Sequence, residues 1–241
     1  MKNIYTLLLT TIAGLSTVLG NILLFIKPKY KDRVLSFSLG LSFIVMFLIS
    51  VFELIPEGIL LVSNINYYFI FIFSLFLLLI GYYFVRVVDV KINSSDGLYK
   101  IGFLSMISLL VHNIPEGIIC AITTGNNLVL GLRMCFIIMI HNIPEGICIS
   151  LPIYYSTGSK LKALLMTCVS SLGEITGALI SIIFLNNYIS DFNLYIILMI
   201  TAGIMISLSI FKVLNEGLKI KSFLWLFIGI LFGICIIILT V

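Results

Sequence analysis

Charge is what this sequence has least of. Only 10% of its 241 residues are Asp, Glu, Lys or Arg, whereas 61% are hydrophobic. With a mean hydropathy of +1.25, the chain has too little polar surface to wrap a water-soluble core of this size, so it reads as a membrane protein. No stretch of about 50 residues, the lower limit for a domain, has globular composition. Residues 1–241 are therefore expected to form a single transmembrane domain. The five cysteines, Cys120, Cys135, Cys148, Cys168 and Cys235, include no C-x-x-C pair. They read as small buried apolar residues, with a soft-ligand role open only for Cys120 and Cys148, about one turn beyond Glu116 and Glu145. The net charge of +4 does not point to nucleic acid, because in a membrane protein the placement of charges matters more than their sum.

Cutting at polar and turn residues gives eight apolar spans, at about residues 4–26, 35–61, 67–88, 101–123, 129–153, 161–185, 194–217 and 222–240. Each holds roughly 20 apolar residues, enough to cross about 30 Å of hydrocarbon at about 1.5 Å per residue. The first apolar run is too long for a secretory signal, and its stronger positive flank follows it, so a cleaved leader is not expected. The connections after spans one, three, five and seven hold Lys27, Lys29, Lys31, Arg33, Arg86, Lys91, Lys100, Lys160, Lys162, Lys212, Lys219 and Lys221. The other side has only Lys2 and Arg133. Because positive residues stay cytoplasmic, both termini are expected outside, as an even span count also requires. Tyr67, Tyr68, Tyr82, Tyr83, Tyr154, Tyr155, Tyr188 and Trp225 fall near span ends, as an aromatic belt does. A polar turn around Lys91 to Lys100 is the longest connection.

Against this background His-Asn-Ile-Pro-Glu-Gly occurs twice, at residues 112–117 and 141–146, and contains the only two histidines of the chain. Ionisable groups at membrane depth are costly and usually mark a transport path or an ion site. Weaker copies end span two, as Glu53-Leu-Ile-Pro-Glu57-Gly, and span seven, as Lys212-Val-Leu-Asn-Glu216-Gly. The pattern is thus fourfold. The copies in spans four and five fall near mid-membrane, that of span two toward the outside and that of span seven toward the cytoplasm. One reading puts a central site between two charged approaches, while the other treats the outer pair as interfacial charges that end a helix.

At 100° per residue, Glu116 projects between His112 and Asn113, so one carboxylate can serve two adjacent ion positions. Pro115 cannot donate to the carbonyl of Val111, and in lipid that carbonyl needs another partner, which a cation supplies. Gly117 lets a neighbouring backbone approach. Spans four and five are antiparallel with a short connection, so His112, Asn113, Glu116, His141, Asn142 and Glu145 can converge at one depth. Span six adds Glu174 beside Gly173-x-x-x-Gly177, a close-packing spacing. Three buried carboxylates with no Lys or Arg at their depth call for divalent cations. Imidazole and carboxylate together suit Zn²⁺, Fe²⁺, Mn²⁺ or Co²⁺ better than Ca²⁺ or Mg²⁺. Hydrogen-bonded glue between helices accounts for one intramembrane His, but not for two identical motifs with a third helix bearing a mid-span Glu.

At these residues the chain resembles the ZIP (Zrt-, Irt-like protein) family of divalent metal transporters, in its bacterial branch. The resemblance extends to Phe37-Ser-Leu-Gly40, Glu53-Leu-Ile-Pro56, Thr157-Gly-Ser-Lys160, Leu172-Gly-Glu174, Ala202-Gly-Ile-Met205 and Leu208-Ser209. It implies an all-α polytopic membrane protein with eight transmembrane helices, extracellular termini, and helices one to three and six to eight as inverted repeats around four and five. It also implies a binuclear centre carried by His112, Asn113, Glu116, His141, Asn142, Glu145 and Glu174, with metal moving into the cytoplasm. Homodimers occur in the family. One departure stands out: bacterial relatives usually end helix seven with Asp-Glu-x-x-Pro, whereas here the matching positions read Phe211-Lys212-Val-Leu-Asn215. Glu216 is expected to compensate for Lys212 or to pair with it. The His-rich loop of relatives between helices three and four is also missing.

The expected function is uptake of Zn²⁺, or of Fe²⁺, Mn²⁺, Co²⁺ or Cd²⁺, across the plasma membrane, which in this branch is the bacterial inner membrane. Glu53 and Glu57 would lie on the outer approach, with Lys212 and Glu216 on the inner. No organic cofactor and no nucleic acid partner are expected; the surroundings are the lipid bilayer. The alternative is a membrane-embedded metalloenzyme of hydrolase or di-iron type using the same ligands. It fits poorly, because H-E-x-x-H is absent and the order is H-x-x-x-E rather than the E-x-x-H of di-iron bundles.

Overall fold

The computed structural model describes residues 2–25, 30–92, 96–184 and 190–240. Lys27, Lys29, Tyr188 and residues 93–95 of the polar turn lie outside the described residues. The described residues form eight helical rods: α1 (Lys2–Leu19, continued by a tighter 3₁₀ stretch, Gly20–Phe25), α2 (Lys31–Leu61), α3 (Tyr67–Lys91), α4 (Gly97–Asn126), α5 (Leu128–Thr157), α6 (Lys160–Phe184), α7 (Asp191–Lys219) and α8 (Phe223–Thr240). Seven are long and apolar enough to cross a bilayer, and the apolar part of α8, Phe223–Ile238, is shorter.

Several helices run about a turn past their apolar spans, because polar caps end them rather than the edge of the hydrocarbon. The Asn66, Asp96 and Asn127 side chains each accept from two backbone amides of the turn that follows, satisfying donors that a helix start leaves open. Asn127 alone separates α4 from α5 and forces them into an antiparallel hairpin. Gly158, at φ 69°, ends α5 in the left-handed conformation that glycine adopts without steric cost.

The rods alternate in direction, and the contacts at one face show it. There Lys160 of α6 lies over the Phe25 ring at the end of α1, Lys31 of α2 over Tyr155 of α5, and Lys162 of α6 over Tyr99 of α4. The basic clusters read from the sequence thus meet on one face. Within the bundle, α4 packs most closely on α6 and α5, α1 on α5 and α6, α2 on α8, and α3 on α7. The helices with the motif copies line the interior. In contrast, α3 and α8 present Phe71, Ile72, Phe76, Phe227 and Phe232 outward, which suits hydrocarbon.

Two interruptions were not foreseen. α2 widens into a π-helical turn at Ser50–Leu54, and α7 does the same at Ser209–Leu214. Aligned on these turns, the helices read Ser50-Val-Phe-Glu53-Leu-Ile-Pro-Glu57-Gly and Ser209-Ile-Phe-Lys212-Val-Leu-Asn-Glu216-Gly. The leading serines also behave alike: Ser50 Oγ donates to the Met46 carbonyl at 2.8 Å and Ser209 Oγ to the Ile206 carbonyl at 3.0 Å. Wide turns inside a helix are rare and concentrate at functional sites.

Candidate metal centre

α4 and α5 pass unbroken through Pro115 and Pro144. The Pro144 carbonyl, turned toward α2, accepts from Ser42 Oγ at 3.2 Å. Glycine brings the neighbouring backbones in. A Cβ on Gly117 would strike the backbone of Glu174, one on Gly177 the Ile114 carbonyl, and one on Gly146 the Thr17 carbonyl. These contacts clamp α6 onto α4 and α1 onto α5 at the level of the two motifs.

Between the clamps four ionisable side chains meet. Both imidazoles turn Nε2 toward the same oxygen, Oε1 of Glu116, at 2.9 Å from His112 and 3.0 Å from His141. The His141 contact is a hydrogen bond, while His112 lies within ion-pair distance without hydrogen-bond alignment. His112 Nε2 is also 3.6 Å from Oε1 of Glu145. Glu116 therefore stands between the histidines of the two copies. With these atoms turned on one another, no three His, Cys, Asp or Glu among the described residues are arranged to hold a metal ion.

Asn113 and Asn142 lie beside this quartet and reach α6 and α1. Asn113 Nδ2 donates to the Ser170 carbonyl at 3.3 Å. Asn142 Nδ2 donates to the Ala13 carbonyl at 3.0 Å and to Oε1 of Glu174 at 2.5 Å. Glu174 is fully buried and within electrostatic reach of Glu116, His141 and Glu145. The buried atoms here without a hydrogen bond are largely lone-pair donors: Asn113 Oδ1, Glu116 Oε2, Asn142 Oδ1, both carboxylate oxygens of Glu145, Glu174 Oε2 and His112 Nδ1. Leaving such groups unsatisfied in a low dielectric is costly. Cys120 instead packs among Leu9, Ala13, Cys135 and Ile138, and Cys148 faces Ser105 at 3.3 Å.

The α2 copy opens onto the same place. A narrow cleft of about 20 Å³ is lined by Glu53, Glu57, Pro115, Glu116, Met134 and His141, among others, so both outer carboxylates share a wall with the quartet. The α7 copy lies at the opposite, basic face, beside a cavity of about 380 Å³ lined by Asp89, Gly97, Lys100, Phe211, Lys212 and Glu216, among others. Here one expectation is corrected. Lys212 pairs with Asp89 of α3, at 2.5 Å, and Glu216 pairs with Lys219, at 2.7 Å. The Lys212 ammonium reaches across to α3, while Glu216, one turn further, meets a lysine three residues on along its own helix. Asp89 was missed because nothing in its own span singles it out; the only hint was a lone acid between Arg86 and Lys91.

Apolar helices around a buried cluster of nitrogen and oxygen donors define a multi-pass membrane protein. The family profile described as ZIP Zinc transporter matches residues 91–240. The chain is 35% identical over 217 residues to "Zinc transporter ZupT" of Enterobacter sp. (strain 638), an overlap of 85% of this chain and 83% of that one. The same values hold for "Zinc transporter ZupT" of Escherichia coli (strain SMS-3-5 / SECEC). The chain belongs to the ZIP zinc transporter family, whose members are transporters and not enzymes. It is a multi-pass protein of the bacterial inner membrane.

Proposed function

We propose that residues 1–241 act as one transporter domain that carries Zn²⁺ into the cytoplasm, with Fe²⁺, Mn²⁺, Co²⁺ and Cd²⁺ as further substrates of the same donor set. The observation that carries this reading is the group of buried, unpaired oxygens on Asn113, Glu116, Asn142, Glu145 and Glu174 beside two imidazoles. Dications at two adjacent positions satisfy them, whereas a purely structural cluster leaves them orphaned. Borderline metals accept this mixture of imidazole and carboxylate, and hard Ca²⁺ does so less well.

In this reading metal enters through the cleft lined by Glu53 and Glu57. On arrival it draws the imidazoles away from Glu116, and the donors form a binuclear site. His112, Glu116, His141 and Glu145 make its core, with Asn113, Asn142 and Glu174 completing the two positions. The basic face is cytoplasmic and both termini are extracellular, because positive residues stay inside. The homodimer known among family members is its assembly. The test is ⁶⁵Zn²⁺ uptake by purified protein in liposomes. Uptake above protein-free vesicles, saturating with concentration, is expected; none in correctly inserted protein would overturn the reading.

A further inference from the structure

The aligned π-turns put Lys212 of α7 where α2 has Glu53. The outer member faces a cleft with its charge free of any lysine or arginine named there, whereas the inner member is engaged. Lys212 Nζ lies 2.5 Å from Oδ2 of Asp89. Lys100, in the first turn of α4, approaches the same aspartate, with Nζ 4.0 Å from Oδ1 and 3.4 Å from the Asp89 carbonyl. Asp89 is thus the hub of a three-charge group that joins α3 to α7 and to α4. Beside it, the Gly97 backbone of α4 sits against the Glu216 carboxylate, which Lys219 holds.

Between this group and the quartet, α4 carries two buried serines followed by a turn of apolar core residues. Along α4, Ser108 and Ser105 follow His112 at one and two turns toward the basic face, both buried; Leu104 and Ile101 beyond them belong to the apolar core, and Ile101, Lys100 and Gly97 line the basic-face cavity. Cys148, also buried, lies against Ser105 from α5. A line drawn along α4 from the quartet to the cavity passes Ser108, Ser105 and Cys148, then apolar core, and reaches Asp89, Lys100 and Lys212.

We propose that Asp89, Lys212 and Lys100 form a charge latch that holds the inner mouth closed and must part for metal to leave. Its role in release rests on the transport reading above. Lys212 does not abolish an acidic exit: the acid has moved to α3, and the lysine holds it. An arriving dication repels both ammonium groups and attracts Asp89, so metal itself favours parting the latch. Asp89 and Lys212 are positioning residues, acting through the gap between α3, α7 and α4.

Cys148 reports the gap without any metal. Protein in liposomes is treated with a charged, membrane-impermeant thiol reagent from the face bearing Lys212, and labelling at Cys148 is read by peptide mass spectrometry. Asp89→Asn, which frees both lysines, should raise the labelling rate at least about fivefold, the low end of coupling between linked conformations. Lys212→Met should raise it less, because Lys100 remains. The double variant, which leaves fewer unpaired charges, should match Asp89→Asn rather than multiply the two effects, and Lys212→Arg should match the parent. Unchanged labelling in Asp89→Asn and in the double variant, or multiplying effects, would overturn the latch. A chain that moved no zinc would still give this readout, so the two proposals fail separately.

Discussion

The end of α2 and the end of α7 are the same piece of structure used twice with opposite charge. Each begins with a serine bonded back to its own helix, widens into a π-turn and closes on Glu-Gly. Yet α2 offers Glu53 and Glu57 to a cleft shared with Glu116 and His141, and α7 offers Lys212 to Asp89. Backbone geometry has been kept while electrostatics has been divided, which on the proposed reading gives attraction at the approach and restraint at the exit.

The first substitution breaks this comparison at its inner end. Lys212→Glu makes α7 match α2 in charge, but it sets a carboxylate against Asp89. Uptake should fall severalfold rather than improve, and wild-type uptake would show that the two ends are equivalent. Neutralising the outer end sharpens the same contrast. Fields in charge-lined clefts raise association rates by roughly 10- to 10³-fold, so Glu53→Gln should lower uptake at limiting Zn²⁺ by up to about tenfold and spare the maximal rate. A loss of maximal rate alone would assign Glu53 to the site instead of its approach.

Both ends depend on the clamps between them. Gly146→Ala places a methyl group on the Thr17 carbonyl, and overpacking of this kind costs about 1–3 kcal/mol. A lowered melting temperature in detergent is expected, and an unchanged one would mean that α1 and α5 pack less closely than described. Acidification acts on the site itself. Histidine and carboxylate ligate only when deprotonated, so Zn²⁺ affinity should fall between about pH 7 and pH 5; a flat titration would argue against imidazole ligands.

The smallest effect is at the basic face, where Ser156 Oγ donates to Asp96 and this bond holds the Asp96 carboxyl below the usual carboxylate range. A carboxyl depressed in the folded state adds stability at neutral pH that is lost as pH falls through its folded value. Ser156→Ala should therefore lower the melting temperature slightly at pH 7 and not at strongly acidic pH. An equal difference at both would exclude the Asp96 link.

How much of this could be read from the sequence follows the range of each interaction. The spans were legible because hydrocarbon thickness fixes their length, and the quartet was legible because His112 and Glu116, like His141 and Glu145, are one helical turn apart. The facing of the two copies followed from a hairpin whose turn is a single residue, Asn127. Contacts set by packing between distant helices were not legible: the shared oxygen of Glu116, the bond from Asn142 to Glu174, and above all Asp89 with Lys212, whose positions lie on α3 and α7. The π-turns were hidden for another reason. An extra residue in a helical turn leaves the composition unchanged, and only the alignment of Ser50 with Ser209 reveals it.

The central claim is that metal passes through the buried quartet, and ⁶⁵Zn²⁺ flux in liposomes tests it most directly. Glu116→Ala and Glu145→Ala, each verified to insert and to melt cooperatively, are predicted to reduce uptake to the level of protein-free vesicles. Undiminished uptake in both variants would contradict the account.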